Sequence, residues 1–340
     1  MDNYHKFFKD KTILVTGGTG SIGSEIVRKL LKYPVRQVRV FSRDEHKQFY
    51  LEQEFKGLPI GKVTFLIGDV RDRERVNLAM ERIDIVFNAA AMKHVHSCEY
   101  NPFEAIKTNV IGVQNLVDAA RERNVEKFIH ISTDKAAIPI NVMGATKLLA
   151  EKIALSAEEY KGKHKTVFCS VRFGNVIGSR ASVVPLFYEQ IKKGGPVTLT
   201  DTKMTRFIMN TSQAVDLVFK AGSLAKGGEL FILKMPAIRI YDLAKAMVDI
   251  LAPKFGYKQS DIWIKITGKR EGEKIYELLM TEEEADCVYK ADDLFLIARK
   301  PLNGFKLTPV HNYRSDQVKL MDYEDIVKTV KNHYQEFKWR

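Results

Sequence analysis

Cysteine is nearly absent from this chain of 340 residues. Cys98, Cys169 and Cys287 lie far apart and form no C-x-x-C pair. That excludes a disulfide scaffold or a thiolate zinc site and fits a reducing cytoplasm. Long apolar runs are missing too: no stretch approaches the ~20 residues that cross a bilayer. The opening "MDNYHKFFKDK" leads into a short strand-like run and not into a signal-peptide core, so no membrane attachment is expected. The sequence contains no low-complexity tract and no internal repeat. Acidic residues are in deficit, with 42 Asp and Glu against 54 Lys and Arg, a formal charge of +12. The basic residues are dispersed and accompany no helix-turn-helix, zinc-finger or RNA-binding signature. The excess therefore points to phosphorylated small molecules and not to nucleic acid. No spacing of His, Cys, Asp or Glu suits a metal, and His94 and His96 read as structural.

What is present is a rhythm. "TILVT" (12–16), "VRVF" (38–41), "KVTFLI" (62–67), "DIVFNA" (84–89), "KFIHIS" (127–132) and "TVFCSV" (166–171) read as buried strands. Between them "SEIVRKLLK", "EAIKTNVIGVQNLVDAARERN" and "ATKLLAEKIALSAEEY" carry apolar residues at helical spacing. Continuous apolar strands alternating with helices predict an α/β fold, a Rossmann-type doubly wound parallel sheet. After residue 175 the rhythm loosens. "GGELFILK", "YDLAKAMVDIL", "DIWIKIT" and "EKIYELLM" still suggest strands and helices. The expected division is a dinucleotide-binding domain over 1–175, with parts of 207–235. Residues 176–340 then form most of a smaller, discontinuous C-terminal α/β substrate lobe.

The first strand runs into "GGTGSIGS". Gly17, Gly20 and Gly23 give the spacing G-x-x-G-x-x-G, with Thr19, Ser21 and Ile22 on the same turn. Such a turn lets backbone N–H groups approach a pyrophosphate at the positive end of the next helix. The second strand ends in "VFSRDE", where an NAD site usually places a carboxylate on the ribose. Here Ser42 and Arg43 come first, then Asp44 and, one turn on, Lys47. The forked donor of Arg43 suits a 2′-phosphate and favours NADP, while Asp44 leaves NAD open. After the third strand, Asp69 and Val70 are placed either to read an adenine edge or, for Asp69, to cap the next helix.

Strand five runs out in "ISTDKAA", at the sheet edge where ligands bind. Ser132, Thr133, Asp134 and Lys135 arrive there together, an acid beside an amine. Such a pair in a partly dry cleft can divide proton donation and acceptance between its members. Met143 and Lys147 share a helix face four residues apart. A thioether transfers no proton.

With "TGGTGSIGS", "FSRDE", "GDVRD", "NAAAMKHVHSCEYNPFEAIKTNVIG", "STDKAAIPINVMGATK", "VRFGNVIGSRASVVPLF", "TLTDTKMTRF" and "GKREGEK", the chain resembles the extended short-chain dehydrogenases/reductases. More narrowly it resembles the UDP-N-acetylglucosamine 4,6-dehydratases of pseudaminic acid (flagellin-glycan) and capsule biosynthesis. The resemblance implies NADP held by the glycine turn, Arg43, Asp69 and Lys147, with Ala89, Ala90, Ala91, Lys93, Asn109 and Ser132 beside it. It implies UDP-GlcNAc bound by Asn175, Val183, Thr200, Met204, Arg206, Arg270 and Glu273, with Lys93 near the sugar. In the implied reaction C4 is oxidised, Lys135 removes the C5 proton, Asp134 protonates the departing C6 hydroxyl, and C6 is then reduced, so the cofactor stays bound. Met143 stands where many relatives carry tyrosine, and Asp134, Lys135 or Lys93 is expected to serve at C4. C5 inversion and a symmetric homo-oligomer such as a hexamer complete the expectation. A C5-retaining dehydratase, an epimerase and a non-catalytic NADP-binding regulator are the alternatives.

Overall fold

The computed structural model describes residues 3–178, 182–269, 272–291, 293–308, 310 and 313–333. The six apolar runs of the first half all form strands: β1 (Thr12–Thr16), β2 (Gln37–Ser42), β3 (Val63–Ile67), β4 (Ile85–Asn88), β5 (Lys127–Ile131) and β6 (Val167–Arg172). Every residue of β1 and β4 is buried, as sheet centres covered on both faces require. The strands are parallel in the order β3-β2-β1-β4-β5-β6. The winding reverses between β1 and β4, which opens a crevice at their C-terminal ends.

The second half both extends this sheet and builds a separate body. Its strands are β7 (Asn175–Val176), β8 (Val197–Leu199), β9 (Thr205–Met209), β10 (Glu229–Leu233), β11 (Ala237–Arg239), β12 (Ile264–Ile266), β13 (Val288–Lys290), β14 (Leu294–Ile297) and β15 (Lys306–Leu307). β10 joins β6 in parallel, and β14, β13 and β15 follow antiparallel, making ten strands. β11-β9-β7 and the β12-β8 pair lie apart. They pack with the helices Val183–Lys192, Ile240–Leu251 and Tyr323–His333 around a second core that includes Phe187, Ile191, Met247 and Leu251.

Two expectations for single elements change. The segment expected as one helix over 104–124 is two helices, Pro102–Ile106 and Gly112–Glu122, joined by a π turn at Lys107–Ile111. At the start of the second helix a Cβ on Gly112 would lie 2.6 Å from Val70 Cγ2, so the helix is seated directly on the loop after β3. "EKIYELLM" forms no regular element, because its carbonyls are engaged elsewhere. Arg206 donates to the carbonyls of Lys274 and Ile275, and Arg172 to that of Leu279. The result is a strap from 272 to 280 laid across both bodies.

Arg172 is the inner anchor. At 1% exposure it pairs with Glu151 of the helix Val142–Tyr160 and with Glu284 at 2.9 Å. Burial opposes its charge, but the two carboxylates outweigh that and raise its pKa. Removing one member of such a cluster strands the others. Arg172→Leu is expected to lower stability by about 3–5 kcal/mol in urea unfolding, and adding both Glu151→Leu and Glu284→Leu should recover much of that loss.

Candidate active site

The C-terminal end of β5 turns into a 3-10 segment, Asp134–Ala136, whose first amide donates to Phe173 O at 3.1 Å. That bond ties the turn to the end of β6 and draws Asp134 fully inside. A Cβ on Gly144 would lie 2.5 Å from Lys135 O, so the helix Val142–Tyr160 begins directly against the same turn.

Asp134 Oδ1 accepts from Thr133 Oγ1 at 2.8 Å and from Lys135 Nζ at 2.9 Å. The lysine also donates to Asn175 Oδ1 at 3.3 Å and meets Glu277 Oε1 at 3.4 Å. Arg206 Nε stands 3.5 Å from the same Glu277 oxygen. Asp134 Oδ2, Glu277 Oε2 and Ser132 Oγ are buried without a hydrogen-bond partner among the described residues. Orphaned buried acceptors in one cluster mark a place built for a ligand or a proton. Burial lowers the Lys135 pKa, but Asp134 and Glu277 more than compensate and hold it above the ordinary lysine value. The resting group is therefore an ammonium.

Four members of this cluster, Lys135, Asn175, Arg206 and Glu277, border a cavity of about 490 Å³, a size suited to a small organic ligand. Lys135, Asn175, Val183, Thr200, Met204, Arg206 and Glu273 line it, together with Glu277, Lys274 and Ser182. Most of the residues expected at the substrate are thus brought together. Arg270 lies outside the described residues. Lys93 is exposed and is not among the residues lining this cavity. Arg206 faces it, yet donates mainly to the carbonyls of Thr205, Lys274 and Ile275. It therefore shapes the strap as much as it presents charge.

On the other side of the turn is the glycine loop. Gly17 has φ +63°, and a Cβ there would sit 2.7 Å from the backbone of Ala89 and Ala90. A Cβ on Gly23 would lie 2.3 Å from Gly17 O. The loop is thus pressed onto the end of β4 and onto the first turn of the helix Ser21–Leu30, with Ser21 and Ile22 half-buried there. Thr19 Oγ1 and Ser42 Oγ are 2.9 Å apart, joining this loop to the end of β2. Asp44 caps the helix Glu45–Glu54, accepting from Lys47 N at 2.9 Å and from Lys47 Nζ. Those hydrogen bonds from Lys47 lower its pKa. Arg43 is mostly exposed and stands 3.5 Å from Asp69.

Asp69 does not cap the following helix. Asp72 does, accepting from Arg75 N at 3.0 Å, whereas Asp69 takes Arg71 through N–H and guanidinium. Burial raises the Asp69 pKa, but Arg71 and Arg43 bring it below the ordinary value. Val70 is buried in the core beneath. Asn109 holds the Ala89–Ala91 loop from behind, accepting from Met92 N at 2.8 Å and donating to Met92 O at 3.0 Å.

Met143 is 3% exposed and packs with Cys98 and Ala105, outside the cavity lining. Lys147 Nζ donates to Ile131 O at 2.6 Å and lies 3.3 Å from His130 Nε2. Its pKa falls to about 8 through burial, against the opposing pull of Glu151. Sequence reasoning missed Glu277, Lys274, Asn88 and His130. Glu277 follows "GKREGEK" by three residues, and only its distance from that motif pointed to it. Asn88 ends one buried apolar strand and His130 interrupts another, which was a readable signal.

Residues 13–299 match the family described as "Polysaccharide biosynthesis protein". The chain belongs to that family. A Methanocaldococcus jannaschii relative, called an "uncharacterized membrane protein", is 57% identical over 96% of each chain. A Rickettsia prowazekii relative, called a UDP-glucose 4-epimerase, is 42% identical over 94% of this chain and 91% of its own. The X-ray structure of Pen from Bacillus thuringiensis has 45% identity and TM-score 0.92, covering 98% of this chain and 100% of that one. This family member thus has the extended short-chain dehydrogenase fold shared with nucleotide-sugar epimerases and dehydratases. Among the described residues no helix is long and apolar enough to cross a membrane, and no group of three or more His, Cys, Asp or Glu is placed to hold a metal.

Glu277 is one of two carboxylates that keep Lys135 protonated. Glu277→Gln is therefore expected to move the Lys135 titration to lower pH, followed by the pH dependence of its acetylation in peptide mass spectrometry.

Proposed function

We propose that this protein is an NADP-dependent UDP-N-acetylglucosamine 4,6-dehydratase, a lyase of surface-glycan biosynthesis that inverts C5. The observation that carries the reading is the Asp134–Lys135 pair, an acid and an amine 2.9 Å apart, in which Lys135 lines the cavity and Asp134 is buried beside it. Elimination of water from C5 and C6 needs one group to take a proton and another to give one, whereas epimerisation at C4 does not.

The residues fit a dinucleotide. Gly17 and Gly23 let the loop press onto Ala89, Ala90 and its own backbone, where a Cβ would clash, and a tight turn of this kind opening a helix suits a pyrophosphate. Both Asp44 oxygens are engaged by Lys47, while Arg43 is exposed, and this favours a 2′-phosphate over a bare ribose. NADP, when bound, supplies a reversible hydride acceptor and is regenerated within each turnover.

The chain's own part is proton movement. Lys135 rests as an ammonium beside the Asp134 carboxylate. A sugar that displaces water from the cavity favours the neutral pair, and one proton passes from Nζ to Oδ1. The amine then takes the C5 proton, and the acid gives its proton to the C6 hydroxyl, which leaves as water. Ammonium and carboxylate are restored without any external acid. The second core, which includes Phe187, Ile191, Met247 and Leu251, forms the substrate side of the cleft in this proposal, and the ten-stranded sheet the cofactor side.

The relatives called UDP-glucose 4-epimerases support a second reading, a nucleotide-sugar epimerase. Purified protein and UDP-GlcNAc in deuterated water, with no added coenzyme, separate the two by proton NMR. Dehydration gives a C6 methyl signal with deuterium at C5, and Lys135→Ala loses the C5 exchange. A C4 epimer without a methyl signal would replace the proposal by the epimerase reading.

A further inference from the structure

Dehydration moves protons at C4, C5 and C6, and the pair described above accounts for two of them. Lys135 serves at C5 and Asp134 at C6. Met143 transfers no proton, and Lys93 is not among the residues lining the cavity. The C4 hydroxyl is left without an acceptor.

Two carboxylates line the cavity, Glu273 and Glu277. Glu273 is partly exposed, whereas Glu277 is 2% exposed. The two oxygens of Glu277 have different surroundings. Oε1 stands 3.4 Å from Lys135 Nζ and 3.5 Å from Arg206 Nε. Oε2 is buried and has no hydrogen-bond partner among the described residues. Of the buried atoms left in that condition it is the one carboxylate oxygen on a residue of the cavity lining. An ionised carboxylate only accepts, so the group that satisfies Oε2 must be a donor. A diphosphate offers acceptors alone, while a sugar offers hydroxyls.

Glu277 is also fixed in place from behind. Its N–H donates to Ser315 Oγ at 3.0 Å, and the Ser315 N–H donates to Glu277 O at 3.0 Å. Ser315 has no exposed surface, and its hydroxyl lies 2.8 Å from Thr205 Oγ1. Thr205 directly precedes Arg206 in β9, so one buried serine ties the carboxylate to the strand that carries its arginine. An acceptor held this firmly meets its ligand without first being ordered.

We propose that Glu277 is a catalytic residue: its carboxylate accepts a hydroxyl of the bound sugar, and that hydroxyl is the one on C4. The choice of C4 rests on the nucleotide-sugar reading above. With Lys135 Nζ at C5, a carboxylate 3.4 Å from that nitrogen reaches the substituents beside C5, and C6 is already served. In this step the C4 O–H bond breaks and an O–H bond forms on Glu277. The C4–H bond breaks as well, and its hydrogen leaves with the electron pair to the nicotinamide. During dehydration Glu277 then gives its proton to solvent as C5 takes one from solvent. During epimerisation it returns the proton to the C4 oxygen when the hydride comes back. The carboxylate is restored in both cases.

Two measurements on the full-length protein test this, and the first needs no turnover. Wild type and Glu277→Gln are titrated calorimetrically with UDP and with UDP-GlcNAc. Exchanging the charged acceptor for an amide is expected to weaken UDP-GlcNAc about tenfold and to leave UDP unchanged. Unchanged affinity for both ligands overturns the proposal, and so does an equal loss for both, which a merely structural role would give. The second measurement uses UDP-GlcNAc deuterated at C4. Glu277→Gln is expected to turn over at least about a hundredfold more slowly, with a primary isotope effect from the C4 deuterium, and Glu277→Asp to recover part of the rate. If Glu277 only holds Lys135, loss of the C5 proton becomes the slow step and the C4 deuterium has no effect. That result overturns the role at C4. A C4 epimer as product refutes dehydration alone, since the same isotope effect applies to it. A protein that shows the binding difference but leaves every nucleotide sugar unchanged refutes the dehydratase reading and not the contact.

Discussion

One ammonium between two buried carboxylates organises this molecule. Lys135 comes from the end of a central strand, Asp134 from the same turn, and Glu277 from a strap more than a hundred residues later. Among the described residues neither carboxylate has another cation so close, apart from Arg206 beside Glu277. Without Lys135, two buried acidic groups would be left without their shared partner, which costs far more than an ordinary lost contact. The electrostatic requirement therefore fixes where the strap crosses, and the strap in turn closes the cavity against the second core.

The same requirement explains why the strap is irregular. A strand needs its carbonyls for a ladder, and here two arginines have claimed them. Arg172 reaches from the sheet and Arg206 from the smaller body, so the backbone of 274–279 is held from both sides. Its apolar residues Leu278, Leu279 and Met280 are buried nonetheless, which is why the segment looks like a regular element in sequence.

The parallel sheet was legible because strands buried on both faces leave uninterrupted apolar runs, as in "TILVT" and "DIVFNA". The glycine turn and the acid–amine pair were legible because each is local. Glu277 was not, since its place depends on a contact between distant segments with no periodic signature. The π turn at Lys107–Ile111 was hidden for a related reason: apolar spacing through "IKTNVIGV" is helical enough that one extra residue per turn leaves no mark. Asp69 was ambiguous because Asp72 three residues on has the same capping chemistry, and only the backbone geometry decides between them.

The glycine loop has a kinetic meaning as well. Gly17 is locked against the backbone of Ala89 and Ala90 before anything binds, in a conformation that few other residues adopt. A loop already in its receiving shape gives up little chain entropy when it closes on an anion. The advantage then appears as residence time: capture remains limited by diffusion and orientation, while escape must break every backbone contact at once. A coenzyme held in this way behaves less like a second substrate than like a part of the protein.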